Sequence, residues 1–182
     1  MLNHHRKRRV RSRKEGNELQ RTFVMIKPDA MQKGLIGEIF SRLEREGLKP
    51  VGVKMLRLDD EILDIHYAHH KSKPFFLDLK EFMKETPVIA SVWEGENAIA
   101  KVREIIGATD PEKAAPGTIR NQFGDSIQRN LVHASDSKET AEAEIRRFFK
   151  EKELHTYTRK LEGLKGLRGE RAREMRMRRP KL

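Results

Sequence analysis

Between Thr22 and Phe149 the chain alternates short apolar runs with stretches of helical period. Residues 22–27 (TFVMIK) form a β-rich run that ends at Pro28, which predicts a strand. Leu35, Ile36, Ile39, Phe40 and Leu43 recur at spacings of three and four, which predicts a helix with one buried face and Gly47 as its stop. Residues 51–58 (VGVKMLRL) predict a second strand, after which Asp59 or Asp60 caps a helix through Ile62, Leu63 and Ile65. A short helix follows Pro74 and carries Phe75, Phe76, Leu79 and Phe82. Residues 87–93 (PVIASVW) hold no charge, as a fully buried strand would, and Ala98, Ile99, Val102, Ile105 and Ile106 then predict a helix ending at Gly107. Residues 108–129 contain Pro111, Pro116, Gly117 and Gly124 without clear periodicity, and loops of that length in compact domains are usually functional or disordered. Residues 129–135 (RNLVHAS) predict a fourth strand, and 137–149 a helix capped by Asp136 or Ser137.

Apart from the additional helices, the order is β-α-β-β-α-β. That is the split pattern of an α+β, ferredoxin-like fold, a four-stranded antiparallel sheet with helices on one face plus extra helices and a long loop. Charge then divides the chain. Residues 1–20 carry a net +5 and residues 159–182 a net +7, whereas 21–158 carry −1, so the pI near 10.0 belongs to the two ends. The expected organisation is therefore a basic disordered tail over 1–20, one domain over 21–158 and a basic tail over 159–182. The tails read either as polyanion-binding arms or as solvated ends. The absence of cysteine excludes disulfides, thiolate metal sites and cysteine nucleophiles. No apolar run approaches a membrane span and no secretory signal is readable, so a cytoplasmic location is the expectation.

Candidate chemistry concentrates in RNLVHASDS, where Asn130, His133, Ser135 and Asp136 lie at a strand-to-helix junction. A histidine there is a candidate nucleophile or base, next to a helix start that attracts anions. The same residues also fit simple capping around a half-buried strand histidine. Lys27, Arg103 and Arg120 stand at the ends of separate elements and suit a polyphosphate. Neither G-x-x-x-x-G-K-[ST] nor G-x-G-x-x-G occurs, so any nucleotide is held by side chains rather than a glycine cradle. His66, His69 and His70 bring no acidic residue to complete a metal set and read as an exposed helical face. Tyr67, Phe75 and Phe76 suit an aromatic platform for a base, or core.

Taken together, VMIKPDA, KGLIGEI, HYAHH with KPFF, PVIASVWEG, GATDPEKAAPGTIRNQFG and RNLVHASDS resemble the nucleoside diphosphate kinase family, in order and at matching spacings over 21–157. The resemblance implies transfer of the γ-phosphate of ATP or another nucleoside triphosphate to a nucleoside diphosphate through a phosphohistidine. Mg²⁺ would be carried by the nucleotide phosphates, with no metal ligand from protein side chains. By position, His133 resembles the nucleophile, Glu144 the partner that orients its ring and Ser135 a residue beside the histidine. Lys27, Tyr67, Arg103, Thr109, Arg120 and Asn130 resemble the phosphate and ribose contacts, and Phe75 the ring that stacks on the base, with Leu79 and Ile127 beside it. Stacking alone implies low base selectivity. Ala30 and Ala134 stand where the family commonly has glycine, the second restricting the backbone beside the nucleophile. His69 stands where many relatives are acidic. Those alanines look closest to archaeal members. The family also implies a homo-oligomer, a hexamer in preference to a tetramer, and the segment KEKELHTY is the candidate for packing against a neighbour. Two rivals remain: an RNA-binding ferredoxin-like module, which needs exposed aromatics on the central strands, and a catalytically silent homologue acting through its basic tails.

Overall fold

Phe23, Val24, Met25 and Ile26 are all fully buried, so the first strand meets packing on both of its faces. In the computed structural model, which describes residues 18–159, that strand is β1 (Leu19–Ile26). It starts inside the stretch read as a tail. Leu19 to Thr22 pair with Glu96 to Trp93 of β3 (Val88–Glu96), and Arg21 bonds Glu94 at 2.9 Å, so pairing extends a polar stretch that periodicity cannot recognise. Pro28, which lacks an N–H, opens the short helix α1 (Pro28–Gln32), an element the sequence pattern does not predict. There follow α2 (Ile36–Arg45), β2 (Lys49–Leu56), α3 (Asp60–His66), α4 (Phe76–Lys84), β3, α5 (Ala98–Ile106), α6 (Ile119–Phe123), β4 (Val132–Ala134) and α7 (Lys138–Phe148). Asp59 caps α3 by accepting from the Ile62 N–H, and Ser137 caps α7 by accepting from that of Thr140. Residues 108–129 are less irregular than expected, for they include a 3₁₀ turn at Pro111–Lys113 as well as α6.

The four strands lie in the order β2-β3-β1-β4 and every pair is antiparallel, the ferredoxin-like sheet. Alternate residues of β1 and β3 feed two separate cores. Val24, Ile26, Ile89 and Trp93 pack with Ile39 and Leu43 of α2 and with Val102 and Ile106 of α5, so the two crossover helices share one face as expected. Phe23, Met25, Ala90 and Val92 pack with Leu63, Phe76, Phe82 and Phe148, so the additional helices α3, α4 and α7 cover the opposite face. With Phe23 and Trp93 at 0% exposure, no open sheet face carries aromatics and the RNA-module reading of the core fails.

The segment expected to pack against a neighbour folds back along β2 of its own chain. His155 donates its backbone N–H to the Val51 carbonyl at 2.7 Å and the Tyr157 hydroxyl donates to that of Pro50 at 2.9 Å, beside the irregularity between Pro50 and Gly52. Gly52 permits this approach, because a Cβ there would lie 2.9 Å from Leu154 Cδ2. The expectations for the remainder of both tails lie outside the described residues.

Candidate active site

His133 is the central residue of β4, paired with Met25. Its neighbours Val132 and Ala134 turn into the α2/α5 core, which sends the imidazole to the opposite side, toward Phe23, His66 and Tyr67. There its Nε2 lies 2.7 Å from Glu144 Oε1, on α7. A carboxylate only accepts, so Nε2 carries the hydrogen and the lone pair is on Nδ1. Ser135 donates its Oγ–H to Glu144 Oε2 at 2.6 Å, which fixes the carboxylate from its other side. Glu144 and Ser135 are buried, while the His133 side chain keeps 23% exposure, enough for a reactant to reach it. Ala134 is extended in β4, so it introduces no strain beside the histidine; Ala30, within α1, is fully buried.

A group of cations gathers around Asn130, three residues before the histidine. Lys27, at the end of β1, is 5% exposed, and its Nζ donates to Asn130 Oδ1 at 2.9 Å and to the Gln128 carbonyl. Burial pushes its pKa down to about 8; nearby Arg120 and Arg129 add to this and Asp29 opposes it. The buried Arg120 donates from Nε to the Asn130 carbonyl at 3.3 Å, and from its terminal nitrogens to Gly107 at 3.0 Å and Val132 at 2.6 Å. Three of its five N–H groups are thus spent on backbone and two remain for a ligand. Burial, with the neighbouring charge of Arg103, lowers its pKa to about 10. Arg103 itself is exposed at the end of α5. Asn130 donates both Nδ2 hydrogens, to Thr109 O at 3.0 Å and Ile127 O at 2.8 Å, so what it offers a ligand is an acceptor, suited to a hydroxyl. Thr109 is exposed beside it.

The apolar part of the site divides the same way. Phe75 is 43% exposed with its ring edge-on to His70, and Ile127 is 61% exposed, whereas Leu79 at 7% belongs to the core beneath. Tyr67 is buried against His66 and His133, and that burial, together with Glu144, raises its phenol well above the ordinary value.

Three contributors escape the sequence reading. His66, expected on an exposed helical face, is 4% exposed, because α3 ends there and the chain breaks into a 3₁₀ turn at Ala68–His70. Its ring lies 4.6 Å from that of His133 at 74°. Arg147, which only donates, stands 3.0 Å from His66 Nδ1, so Nε2 bears the His66 hydrogen, buried without a partner among the described residues. Burial first, then the charges of His133, Arg147 and His69, depresses His66 to about 2, so it is neutral and its 3.8 Å approach to Glu144 is no ion pair. Asp29, fully enclosed in α1, is the third. His66, His133 and Glu144 hold possible ligand atoms within 4.8 Å of one another, but the Arg147 guanidinium already occupies His66 Nδ1 and would repel a dication.

A histidine hydrogen-bonded to a buried carboxylate, on a strand whose Val132 carbonyl the buried Arg120 holds, suits phosphoryl transfer, and comparison with known proteins agrees. The model of the family "Nucleoside diphosphate kinase" matches residues 20–154. The nucleoside diphosphate kinase of the bacterium Carboxydothermus hydrogenoformans is 51% identical over 144 residues, 79% of this chain and 97% of that protein. That of Pyrococcus horikoshii is 53% identical over 146 residues, 79% of this chain and 93% of that protein. Among solved structures, the Halobacterium salinarum nucleoside diphosphate kinase in complex with CDP superposes with a TM-score of 0.76 at 48% identity, covering 80% of this chain and 97% of that one. On the evidence of this match, running from the first paired strand to the segment that folds back on β2, the chain belongs to the nucleoside diphosphate kinase family.

Proposed function

We propose that the chain transfers the γ-phosphate of a nucleoside triphosphate to a nucleoside diphosphate in two half-reactions, with His133 carrying the phosphoryl group between them. The observation behind this reading is the 2.7 Å contact between His133 Nε2 and Glu144, which puts the lone pair on Nδ1. Nδ1 attacks the γ-phosphorus, the bond from that phosphorus to the β–γ bridging oxygen breaks, and the nucleoside diphosphate leaves with the electron pair. The phosphorylated ring is positive, and Glu144 stabilises it through the Nε2–H while Ser135 keeps the carboxylate in place. A β-phosphate oxygen of the acceptor then attacks the same phosphorus, the P–N bond breaks and the neutral ring returns. Charge in the loose transition state spreads over the equatorial oxygens, and Lys27, Arg103 and the two remaining N–H groups of Arg120 supply fixed donors there, with the Thr109 hydroxyl beside them.

Mg²⁺ would enter as part of the nucleotide substrate and supply charge neutralisation at its phosphates. The enclosed carboxylates suit that division, since Glu144 is committed to His133 and Ser135 and Asp29 to a backbone N–H. Phe75 and Ile127, both exposed, offer apolar surface, and an exposed ring that stacks on any base supports low base selectivity. Homo-oligomerisation is part of this reading, a hexamer in preference to a tetramer, and association in general is supported by β2, an outer strand whose Val53 and Met55 are 50% and 60% exposed. Among the described residues no helix is long and apolar enough to cross a membrane, and cytoplasmic residence is part of the same reading. Weak polyanion binding by the basic ends is tested by a gel shift at physiological salt, in which the full chain retards RNA and a 21–158 chain does not.

Intact mass after brief incubation with Mg-ATP tests the reaction itself. The expected result is one acid-labile phosphoryl group on the wild type, absent from His133→Ala and discharged by GDP. An unmodified wild type would overturn the proposal.

A further inference from the structure

Between the cation cluster and the histidine the backbone makes a turn that its residue type does not favour. Leu131, fully buried, has φ +75°, and the Val132 N–H donates back to the Asn130 carbonyl at 2.9 Å across it. A bond between residues two apart around a central φ of that sign is the γ-turn of the rare, strained form. Two hydrogen bonds hold this residue: the Leu131 N–H donates to Asp29 Oδ2 at 2.9 Å, in a fully enclosed contact. The Lys27 N–H donates to the Leu131 carbonyl at 2.9 Å. Both polar groups of Leu131 are therefore gripped by the Lys27-Pro28-Asp29 corner. Asp29 is 2% exposed, and its Oδ1 has no hydrogen-bond partner among the described residues. What offsets its enclosure is the field of Lys27, Arg120 and Arg129, each of which interacts with its charge. A leucine has no intrinsic reason to hold a left-handed backbone, so the conformation is imposed from outside.

We infer that Asp29 is a positioning residue of phosphoryl transfer: its carboxylate holds the strained turn at Leu131, and the turn aims Asn130 at Lys27 on one side and delivers His133 to Glu144 on the other. This rests on the reading of His133 as the phosphoryl carrier. If the carboxylate is lost, Leu131 relaxes toward negative φ, the Asn130 side chain leaves Lys27, and β4 shifts under the histidine two residues on. Asparagine at this position retains an oxygen for the Leu131 N–H and removes only the charge; alanine removes both.

The experiment compares wild type, Asp29→Asn and Asp29→Ala in single-turnover phosphorylation by Mg-ATP. The chemical rate is expected to fall about 10²-fold in Asp29→Ala, the cost of misplacing reacting groups by about 1 Å, with a smaller change in nucleotide affinity. Asp29→Asn is expected to restore the rate at neutral pH while moving the alkaline limb of nucleotide binding to lower pH, because Lys27 loses the carboxylate that supports its charge. A merely structural role would lower both variants' melting points without this split. Equal rates in wild type and Asp29→Ala, or an Asp29→Asn as slow as Asp29→Ala, would overturn the inference. Should Asp29→Ala not fold, amide exchange at Leu131 in the wild type decides: protection is expected, and exchange at the rate of an open loop overturns it. A wild type that takes no phosphoryl group would instead overturn the His133 reading, and is recognised in the same assay before any variant is compared.

Discussion

Lowering the pH from 7 to 5 should weaken this protein, and the largest single share should come from His66. Its ring is enclosed, at 1% side-chain exposure, and stays neutral down to about 2, whereas in the unfolded chain it titrates near 6.5. A base whose folded pKa is depressed leaves stability untouched above the unfolded value and removes it as pH falls below, since only the unfolded chain takes up the proton. The loss approaches about 1.4 kcal/mol per pH unit, and between pH 7 and 5 it integrates to about 2 kcal/mol. Urea unfolding at fixed protein concentration, at both pH values, measures it. The control is His66→Asn, whose side-chain oxygen keeps an acceptor for Arg147 but cannot titrate. That variant should be less stable at both pH values because it leaves a void, yet lack the His66 share of the pH dependence, while the carboxylates contribute equally to both proteins. An identical fall in wild type and variant would refute the reasoning, for it would mean that His66 takes up its proton within the fold.

Lys27, at about 8, should make nucleotide affinity fall as pH rises through that value, and the limb should be missing from Lys27→Gln; binding titrations between pH 7 and 9.5 check both. Glu144→Gln should slow phosphorylation of His133 by about 10²-fold or more while leaving the fold intact, as rapid-quench kinetics can show. Phe75→Ala should weaken all nucleotides alike, by about 1–3 kcal/mol, and a variant that discriminates among bases would contradict the stacking role. Gly107→Ala places a methyl 2.8 Å from Thr118 Cβ at a backbone φ of +85° and disturbs a carbonyl that Arg120 uses, so its melting point and its activity should fall together.

Much of this architecture was readable from periodicity, because α2, α5 and α7 bury one stripe each and the central parts of β1 and β3, residues 23–26 and 88–93, are uncharged runs buried throughout. The same apolarity already implied packing on both faces, and the family pattern of helices on one face described only the crossover pair. What stayed hidden was set by tertiary contact. The polar residues of Leu19–Thr22 become strand because β3 offers them a ladder, and α1 is too short to display a period. His66 lay one helical turn from His70 on paper, but the helix ends between them, so its burial could not be inferred from spacing. His133, Lys27, Arg103, Arg120 and Asn130 were singled out from their residue types and the motif order, and the structure brings Lys27 and Arg120 onto Asn130 with Arg103 near Arg120, while His133 follows Asn130 by three residues. Leu131 carried no signal, since nothing in a leucine announces a left-handed turn whose cause lies about a hundred residues away in Asp29.

The strand that bears the histidine has three residues and pairs on one side only, with β1. Beyond that ladder it is held by the guanidinium of Arg120 on the Val132 carbonyl and, at the residue before it, by the grip of Lys27 and Asp29 on Leu131. β1 and β3, ladder-bonded on both sides, should release their amides to solvent only on global unfolding, while β4 opens at lower free energy as a unit of its own. The enzyme's working edge thus has a fluctuation spectrum separate from that of its scaffold. A nucleotide that engages Lys27 and Arg120 closes the same latch from outside, so occupancy should register as slowed deuterium uptake in β4 before any change is seen in the central strands.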